Sequence, residues 1–282
     1  QATQIAEKNG TEVLELEELL SSVEIVSIAV PTAHHYEMAE KAIEHGVHML
    51  IEKPFVDKPN QGEKLLAEAE KSDVIIQVGH IERFNPAVMA LQDIVPDLDI
   101  ISVDAKRLGP PIDRQLDDSV VRDLMIHDID ILLWLIDASV TSVAAFDTDE
   151  AHTTANFEFD DGTVGSLTAS RVTQRKVREL TITAESCHVA VDYIDQSVEI
   201  YRHSLPEYIE KNGDIRYRHE SIVERPTVHN AEPLKSELSA FIDAVRAENV
   251  PTVSGQDGLQ AVKYVETIEE LTNQDSMHIN NE

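Results

Sequence analysis

The segment from residue 12 to residue 85 alternates apolar strands with amphipathic helices, and this pattern constrains the fold more than any other feature of the chain. Residues 23–30 form a run rich in β-branched residues, and shorter apolar runs follow at residues 47–51 and 74–78. Helical spacing lies between these runs, at residues 36–46 and 60–72. Strands that are apolar throughout and that alternate with helices are typical of a parallel sheet covered by helices.

The pattern changes after about residue 94, where strands begin to follow one another directly. A strand is predicted at residues 100–108 and one long helix at residues 119–136. An Asp161-Gly162 turn between alternating strands is a strong hairpin signal. The remaining predictions are strands at 153–159, 163–170, 180–184, 188–193, 198–203 and 215–224, and helices at 233–247 and 258–271. The sequence therefore predicts two domains, residues 1–95 with a parallel sheet and residues 96–282 with an open, mostly antiparallel sheet.

The chain is strongly acidic, with 53 Asp and Glu against 23 Lys and Arg and a formal net charge of -30. A nucleic-acid partner is not expected, because phosphate contacts need clustered Lys and Arg. The content of hydrophobic residues, 42%, is high enough for a large core, so the charge does not indicate disorder. An acidic excess spread along the whole chain is typical of a protein from a very salty cytosol, where salt screens self-repulsion.

Other features of the composition bear on location. The single cysteine, Cys187, cannot form an internal disulfide, and no apolar run reaches the length of a transmembrane helix. We therefore expect a cytoplasmic protein with no membrane partner.

A Glu-Lys-Pro motif stands immediately after the predicted strand at residues 47–51. In open parallel sheets, ligands bind outside the carboxyl ends of the strands, so Lys53 is placed over a candidate site. The alternative is an ordinary surface lysine in a turn between strand and loop.

A second polar cluster lies inside the apolar helix predicted at residues 119–136. Asp123 and His127 are four residues apart, so on one helix face the carboxylate could hold the imidazole in a single tautomer. Polar groups in a buried helix are either paired or line a cavity. Two alternatives remain open at this stage: His127 bonds to a backbone carbonyl as a packing residue, or Asp128 or Asp130 is its partner instead.

The remaining histidines give weaker signals. His35 follows the carboxyl end of the first strand and either faces a ligand or is exposed at a helix entry. His34, His45 and His48 fall on different elements and lack a carboxylate or thiol set at ligand spacing, so no metal site is predicted.

Taken in order, these motifs resemble the Gfo/Idh/MocA family of NAD(P)-dependent oxidoreductases. The resemblance runs through VSIAVPTAHHYEMAEKAIEHGVHMLIEKP, the DLMIHDID helix, the hairpin at Asp161 and Gly162, and PLKSELSAFIDAVRAENVPTVSGQDGLQAV. It implies an α/β fold: a partial Rossmann-like parallel sheet whose first strands are missing, and an α+β domain with a large open sheet. The domain at residues 1–95 would bind the dinucleotide, and the domain at residues 96–282 would bind substrate and form oligomers.

The resemblance also implies roles for particular residues. Lys53, Asp123 and His127 correspond to the catalytic group of the family. NAD or NADP is the implied cofactor, and the residues expected along it are Val30, Pro31, Thr32, His35, Glu52 and Lys53.

A narrower resemblance is to the UDP-N-acetylglucosamine 3-dehydrogenase branch of this family. It is carried by VGHIERFNPAVMAL at residues 78–91 and ISVDAKRLGPP at residues 101–111. It implies oxidation of a nucleotide-sugar hydroxyl to a ketone, with substrate contacts from His80, Arg83, Asn85, Lys106 and Arg107. For Arg83 the alternative is an ion pair that closes two domains. The other functions considered are a dehydrogenase of a free sugar or inositol, and a non-catalytic sugar-binding scaffold.

One departure from the family pattern is pronounced. No GxGxxG turn occurs in the sequence, and the first residue is Gln1. The absent strand-helix-strand unit normally holds the dinucleotide pyrophosphate. We therefore expect a chain that lacks its beginning and binds NAD poorly by itself. We also expect a homo-oligomer formed through the open sheet face, because an uncovered face is commonly buried against a second subunit.

Overall fold

The computed structural model describes residues 2–111, 118–148, 151–203, 207–211, 214–218 and 220–275. The chain divides into two compact units. The first comprises the residues up to Gly79 together with Ser239–Leu259, and the second comprises His80–Leu238 and the residues from Gln260 onward. This division follows spatial contacts. The domain limits at residues 1–95 and 96–282 stay a prediction.

The first unit is built around a three-stranded parallel sheet in the order β1-β2-β3. Its elements are α1 (Ala2–Asn9), α2 (Leu16–Leu20), β1 (Ile25–Ile28), α3 (His35–Glu44), β2 (His48–Glu52), α4 (Pro59–Lys71) and β3 (Ile76–Gly79). The three predicted strands and the two helices between them are confirmed. The two N-terminal helices were not predicted, because α1 has few large apolar residues and α2 is only five residues long, too short to show a helical period.

The core of this unit lies along β2 and under α3. Met49 and Ile51 on β2 are fully buried, as are Ala39 and Ala42 on α3. The small alanine side chains let the helix pack closely on the strand. The carboxyl ends of all three strands therefore lie at one edge of a rigid sheet.

The second unit contains an eight-stranded sheet in the order β13-β10-β9-β8-β4-β7-β6-β5. Its strands are β4 (Ile100–Leu108), β5 (Val140–Thr148), β6 (His152–Phe159), β7 (Val164–Ser170), β8 (Val177–Ala184), β9 (His188–Asp192), β10 (Ser197–His203) and β13 (Ser221–Glu224). A separate two-stranded sheet is formed by β11 (Glu207–Lys211) and β12 (Asp214–Arg218), and a short helix, α5 (Pro86–Met89), precedes β4. Among the described strand pairs of the eight-stranded sheet, only β4 and β7 pair in parallel, and the predicted α/β fold class with a large, mostly antiparallel sheet is confirmed.

The two faces of this sheet differ in character. Residues paired across neighbouring strands share a face, and one such row crosses β5, β6, β7, β4 and β8. It consists of half-buried or exposed side chains: Phe146, Thr154, Thr168, Lys106 and Glu179. The opposite face carries the buried side chains of the core, including Ala105, Ala155, Leu167 and Leu180. The sheet is therefore open on one face.

The buried face packs against the predicted long helix, which differs in detail from the prediction. A π-helical turn spans Val121–Met125, and α6 (Ile126–Leu135) continues from it. Gly165 on β7 lets the helix approach closely: a Cβ at this position would lie 2.6 Å from Leu132 Cδ2. Two further helices, α7 (Pro233–Ala247) and α8 (Gly255–Asp275), follow the strands, and α8 is longer than predicted at both ends. Among the described helices, none has the length and hydropathy needed to cross a bilayer.

Candidate functional site

The loop after β1 is tied to the loop after β2 by a histidine. His35 is 1% exposed, so the alternative of an exposed histidine at the helix entry is wrong. Its Nδ1 lies 2.8 Å from the Pro54 carbonyl oxygen and its Nε2 lies 2.9 Å from the Val30 carbonyl oxygen. The imidazole therefore fixes the spacing between the carboxyl ends of two neighbouring strands.

The other residues predicted along a cofactor lie at the same edge of the sheet. Val30 and Pro31 are exposed, and Thr32 begins a short 3-10 turn before α3. Glu52 ends β2, and Lys53, which follows it, is half-buried and forms a cis peptide bond with Pro54.

The candidate base and its predicted partner lie at the junction of the π-turn and α6. Asp123 belongs to the π-turn, so the residue spacing of an α-helix does not describe its relation to His127. The Asp123 Oδ2 accepts a hydrogen bond of 2.7 Å from Arg171 NH2, and Arg171 NH1 donates to the Asp118 carbonyl oxygen at 2.7 Å. Arg171 at the end of β7 therefore fixes the Asp123 carboxylate. The half-buried His127 ring stacks edge-on against His80, with centroids 6.2 Å apart.

The two aspartates on α6 are each paired with an arginine. Arg107 donates to both Asp128 carboxylate oxygens, at 2.9 and 2.8 Å, and to Glu82 Oε1 at 2.7 Å. Arg83 donates to Asp130 Oδ2 at 2.6 Å and Oδ1 at 2.9 Å. These carboxylates, which the sequence left as possible partners of His127, are thus engaged in bidentate ion pairs.

Burial and charge act in opposite directions at the Asp128–Arg107 pair. Burial raises the pKa of the Asp128 carboxyl, and Arg107 opposes that rise. Burial also acts to lower the pKa of Arg107, but the carboxylates of Asp128 and Glu82 outweigh it and raise the pKa. The bidentate geometry is that of a charged pair, which we take as the state near neutral pH.

The predicted substrate residues all belong to the second unit, but they do not form one open surface. His80, Arg83, Asn85 and Arg107 are between 0% and 5% exposed. Asn85 caps α5 and donates to the Tyr193 carbonyl oxygen at 3.0 Å. Lys106 lies on the open face of the sheet, opposite to Arg107, because neighbouring residues of a strand point to opposite faces.

Three residues near the site were not found from the sequence: Glu82, Arg171 and Tyr193. The Arg107 guanidinium lies 5.4 Å from the centre of the Tyr193 ring, and the tyrosine is 5% exposed. Burial raises the pKa of Tyr193 well above its ordinary value, so its hydroxyl is protonated. Contacts between such distant parts of the chain leave no local sequence signal. Within the described ranges, no group of three or more His, Cys, Asp or Glu is arranged to hold a metal ion.

Comparisons with known proteins identify the family. The model of the oxidoreductase family with an NAD-binding Rossmann fold matches residues 1–80, and the model of the GFO/IDH/MocA C-terminal domain matches residues 103–190. UDP-N-acetylglucosamine 3-dehydrogenase of Acidithiobacillus ferrooxidans is 32% identical over 255 residues, which cover 85% of this chain and 76% of that protein. Inositol 2-dehydrogenase of Rhizobium meliloti is 26% identical over 281 residues, which cover 93% and 82% of the two chains.

Solved structures give the same answer. UDP-N-acetylglucosamine 3-dehydrogenase GnnA from Acidithiobacillus ferrooxidans superposes with a TM-score of 0.89 at 27% identity, covering 98% of this chain and 88% of that one. The expected resemblance to this branch, the NAD cofactor and the dehydrogenase activity on a hydroxyl group are thereby confirmed. The chain belongs to the Gfo/Idh/MocA family of NAD-dependent oxidoreductases.

Proposed function

We propose that the protein oxidises the 3-hydroxyl of a UDP-linked N-acetylglucosamine to a ketone, with NAD or NADP as hydride acceptor. The observation that carries this proposal is the 32% identity to a UDP-N-acetylglucosamine 3-dehydrogenase over 85% of the chain. The match covers both units, so it includes the candidate catalytic residues as well as the sheet around them.

The edge of the parallel sheet fits part of a dinucleotide. A Cβ at Gly79 would lie 3.2 Å from both Glu52 Cα and Glu52 Oε2, so glycine at the end of β3 leaves room for Glu52 beside it. His35 joins the neighbouring loops, so the strand ends lie together at the edge where dinucleotides bind in such sheets. Val30, Pro31, Thr32, Glu52 and Lys53 would lie along the cofactor, and the buried His35 would hold the loops that carry them. When bound, NAD supplies the hydride acceptor.

The chemistry assigned to this chain is proton transfer and charge stabilisation. In the proposal, His127 accepts the proton of the sugar hydroxyl as hydride leaves the same carbon, and Asp123 stabilises the imidazolium that forms. Lys53 donates a hydrogen bond to the oxygen as negative charge develops on it. Arg171 supports this assignment for Asp123, because it orients the carboxylate through a 2.7 Å bond.

Arg83 and Arg107 would act on the substrate indirectly. Both guanidinium groups already bond to buried carboxylates, with only 4% of each side chain exposed. A direct contact with substrate would require one of these bonds to be exchanged. We therefore assign Arg83 and Arg107 to the wall of the substrate site, with His80 and Asn85, and Lys106 to the open sheet face.

The open face is proposed to pair with a second copy of the chain. Phe146 on this face is 63% exposed and stands in the same row as Lys106 and Glu179. Burial of such a side chain against a partner subunit would remove it from water. Light scattering of the purified protein tests this: an oligomer that Phe146→Asp dissociates supports it, and a monomeric wild type contradicts it.

A second candidate substrate class is a free cyclitol, favoured by the 26% identity to an inositol 2-dehydrogenase over 93% of the chain. The two substrate classes are distinguished by measuring the formation of reduced cofactor with each of four compounds: UDP-N-acetylglucosamine, N-acetylglucosamine, myo-inositol and scyllo-inositol. The proposal predicts turnover of the UDP-sugar with either NAD or NADP, and a product that has lost two hydrogens by mass spectrometry. Turnover of inositol alone would establish the second candidate instead.

A further inference from the structure

A cavity of about 320 Å³ lies wholly within the second unit, beside the buried charge network. Its polar lining comes from Glu82, Asn85, Lys176, Arg178, Tyr193 and Gln196, together with two isoleucines and a proline. Because Glu82 also accepts a hydrogen bond from Arg107, which holds Asp128, the cavity is linked through two ion pairs to the residue that follows His127. The cavity and the candidate base therefore belong to the same unit and are joined by one charge network.

The charge balance of this cavity differs from that of the protein as a whole. Arg107 bonds to Glu82 at 2.7 Å and also to Asp128, so one cation serves two carboxylates, and the cations of Lys176 and Arg178 bring the balance of these five groups to one positive charge. Lys176 and Arg178 form no ion pair within the part of the chain that the structure describes, and Arg178 NH1 donates to the backbone carbonyls of Leu108 and Val177. In a chain of net charge -30, two cations without carboxylate partners at one cavity favour an anionic ligand.

Tyr193, which also lines the cavity, carries a buried hydroxyl. Across the described residues, the Tyr193 hydroxyl has no hydrogen-bond partner, although the side chain is 5% exposed. Asn85 bonds to the Tyr193 carbonyl oxygen, and the Tyr193 amide donates to the Arg178 carbonyl oxygen at 3.0 Å. The tyrosine is thus held beside Arg178, and its phenol lacks the acceptor that buried hydroxyls normally have.

We propose that this cavity binds the diphosphate of the nucleotide-sugar substrate. Lys176 and Arg178 neutralise its charge, and the Tyr193 hydroxyl donates to a phosphate oxygen. This assignment rests on the proposed function and deepens it: the diphosphate is attached at the sugar carbon next but one to the reacting C3, so its site must lie close to the base. A free cyclitol has no group of this charge.

The test is the binding of UDP itself, which needs neither cofactor nor turnover. Isothermal titration at one fixed KCl concentration compares wild type with Lys176→Gln and Arg178→Gln. Each substitution is expected to weaken UDP binding about tenfold or more, since a charged hydrogen bond to phosphate is lost. Arg175→Gln is the matched control, because Arg175 is an exposed cation of the same loop outside the cavity lining. It should change affinity by less than about twofold.

Two further readouts guard against a trivial loss of fold. Arg178→Lys keeps the charge and should recover part of the UDP affinity that Arg178→Gln loses. Lys176→Gln changes an exposed side chain, so it should leave the fold intact. In turnover, Lys176→Gln should raise KM for UDP-N-acetylglucosamine and leave kcat nearly unchanged.

These experiments distinguish failure of the cavity assignment from failure of the proposed function. If wild type oxidises UDP-N-acetylglucosamine and binds UDP, but both glutamine variants keep wild-type affinity, the cavity assignment is overturned and the proposed function stands. If wild type binds no UDP and oxidises only inositol, both are overturned.

Discussion

Removing Arg107 should destabilise the second unit more than removing any exposed arginine. Its side chain is 4% exposed and donates to Asp128 and Glu82, which are 4% and 19% exposed. Replacing Arg107 by Leu leaves these two carboxylates close together with no cation between them. Breaking a buried pair by removal of one partner costs about 3–5 kcal/mol, because the other charge stays buried without compensation.

The comparison variants follow from the same geometry. Arg202→Leu breaks the ion pair between Arg202 and Glu224, whose side chains are 33% and 48% exposed, respectively. It should therefore lower the free energy of unfolding by less than about 1 kcal/mol. Asp128→Asn keeps the shape and leaves Arg107 bonded to Glu82, so its cost should be smaller than that of Arg107→Leu. The double variant Arg107→Leu, Asp128→Leu should recover part of the loss, since one uncompensated charge has been removed.

Urea unfolding at constant KCl measures these differences. With a slope of about 1–3 kcal/mol per molar urea, Arg107→Leu should lower the midpoint by more than about 1 M. A midpoint shift no larger than that of Arg202→Leu would show that the buried network contributes little and that the reasoning from burial is wrong.

Three other perturbations test separate parts of the account. Gly165→Ala should destabilise the protein by about 1–3 kcal/mol, because its Cβ would lie 2.6 Å from Leu132 Cδ2. Adding Leu132→Ala to this variant should remove most of the cost that the clash causes. If Gly165→Ala alone leaves the urea midpoint unchanged, the close contact between helix and sheet is contradicted. Asp123→Asn should lower kcat and move the acid limb of the pH-rate profile to lower pH, because the negative charge that favours the His127 imidazolium is lost. If the limb does not move, Asp123 is only a structural partner of Arg171. Lowering KCl from about 2 M to about 0.1 M should lower the thermal midpoint, because a net charge of -30 is then less screened; an unchanged midpoint would argue against a halophilic protein.

Most of the strands could be predicted because burial imposes a period on the residues themselves. Two strands, β5 and β11, were missed, and the single strand expected at residues 215–224 is divided between β12 and β13. Met49, Leu50 and Ile51 are buried on both faces of the parallel sheet, and they read as a continuous apolar run. The hairpin at Gly162 was predicted from its turn residues, and Gly162 has the positive φ, 89°, that such turns use. The π-turn at Val121–Met125 was missed, because an apolar helix gives the same pattern whether its first turn is α or π.

The site could be predicted only in outline. The sequence placed Asp128 and Asp130 near His127 but left open which carboxylate served the imidazole. The structure pairs them with arginines 21 and 47 residues away, and no local pattern records a partner at that separation. Arg171 and Tyr193 were missed for the same reason, since their place beside the site depends on how the strands pair.

The central claim is that His127 is the base for oxidation of a UDP-sugar hydroxyl, and the kcat of His127→Ala tests it most directly. Initial rates of reduced-cofactor formation, measured across the pH range with both NAD and UDP-N-acetylglucosamine saturating, give kcat and its acid limb for wild type and variant. The account predicts a loss in kcat of about a hundredfold or more, UDP affinity that is unchanged, and disappearance of the acid limb. Turnover at the wild-type rate, or an acid limb that survives the substitution, would assign the proton transfer to another group.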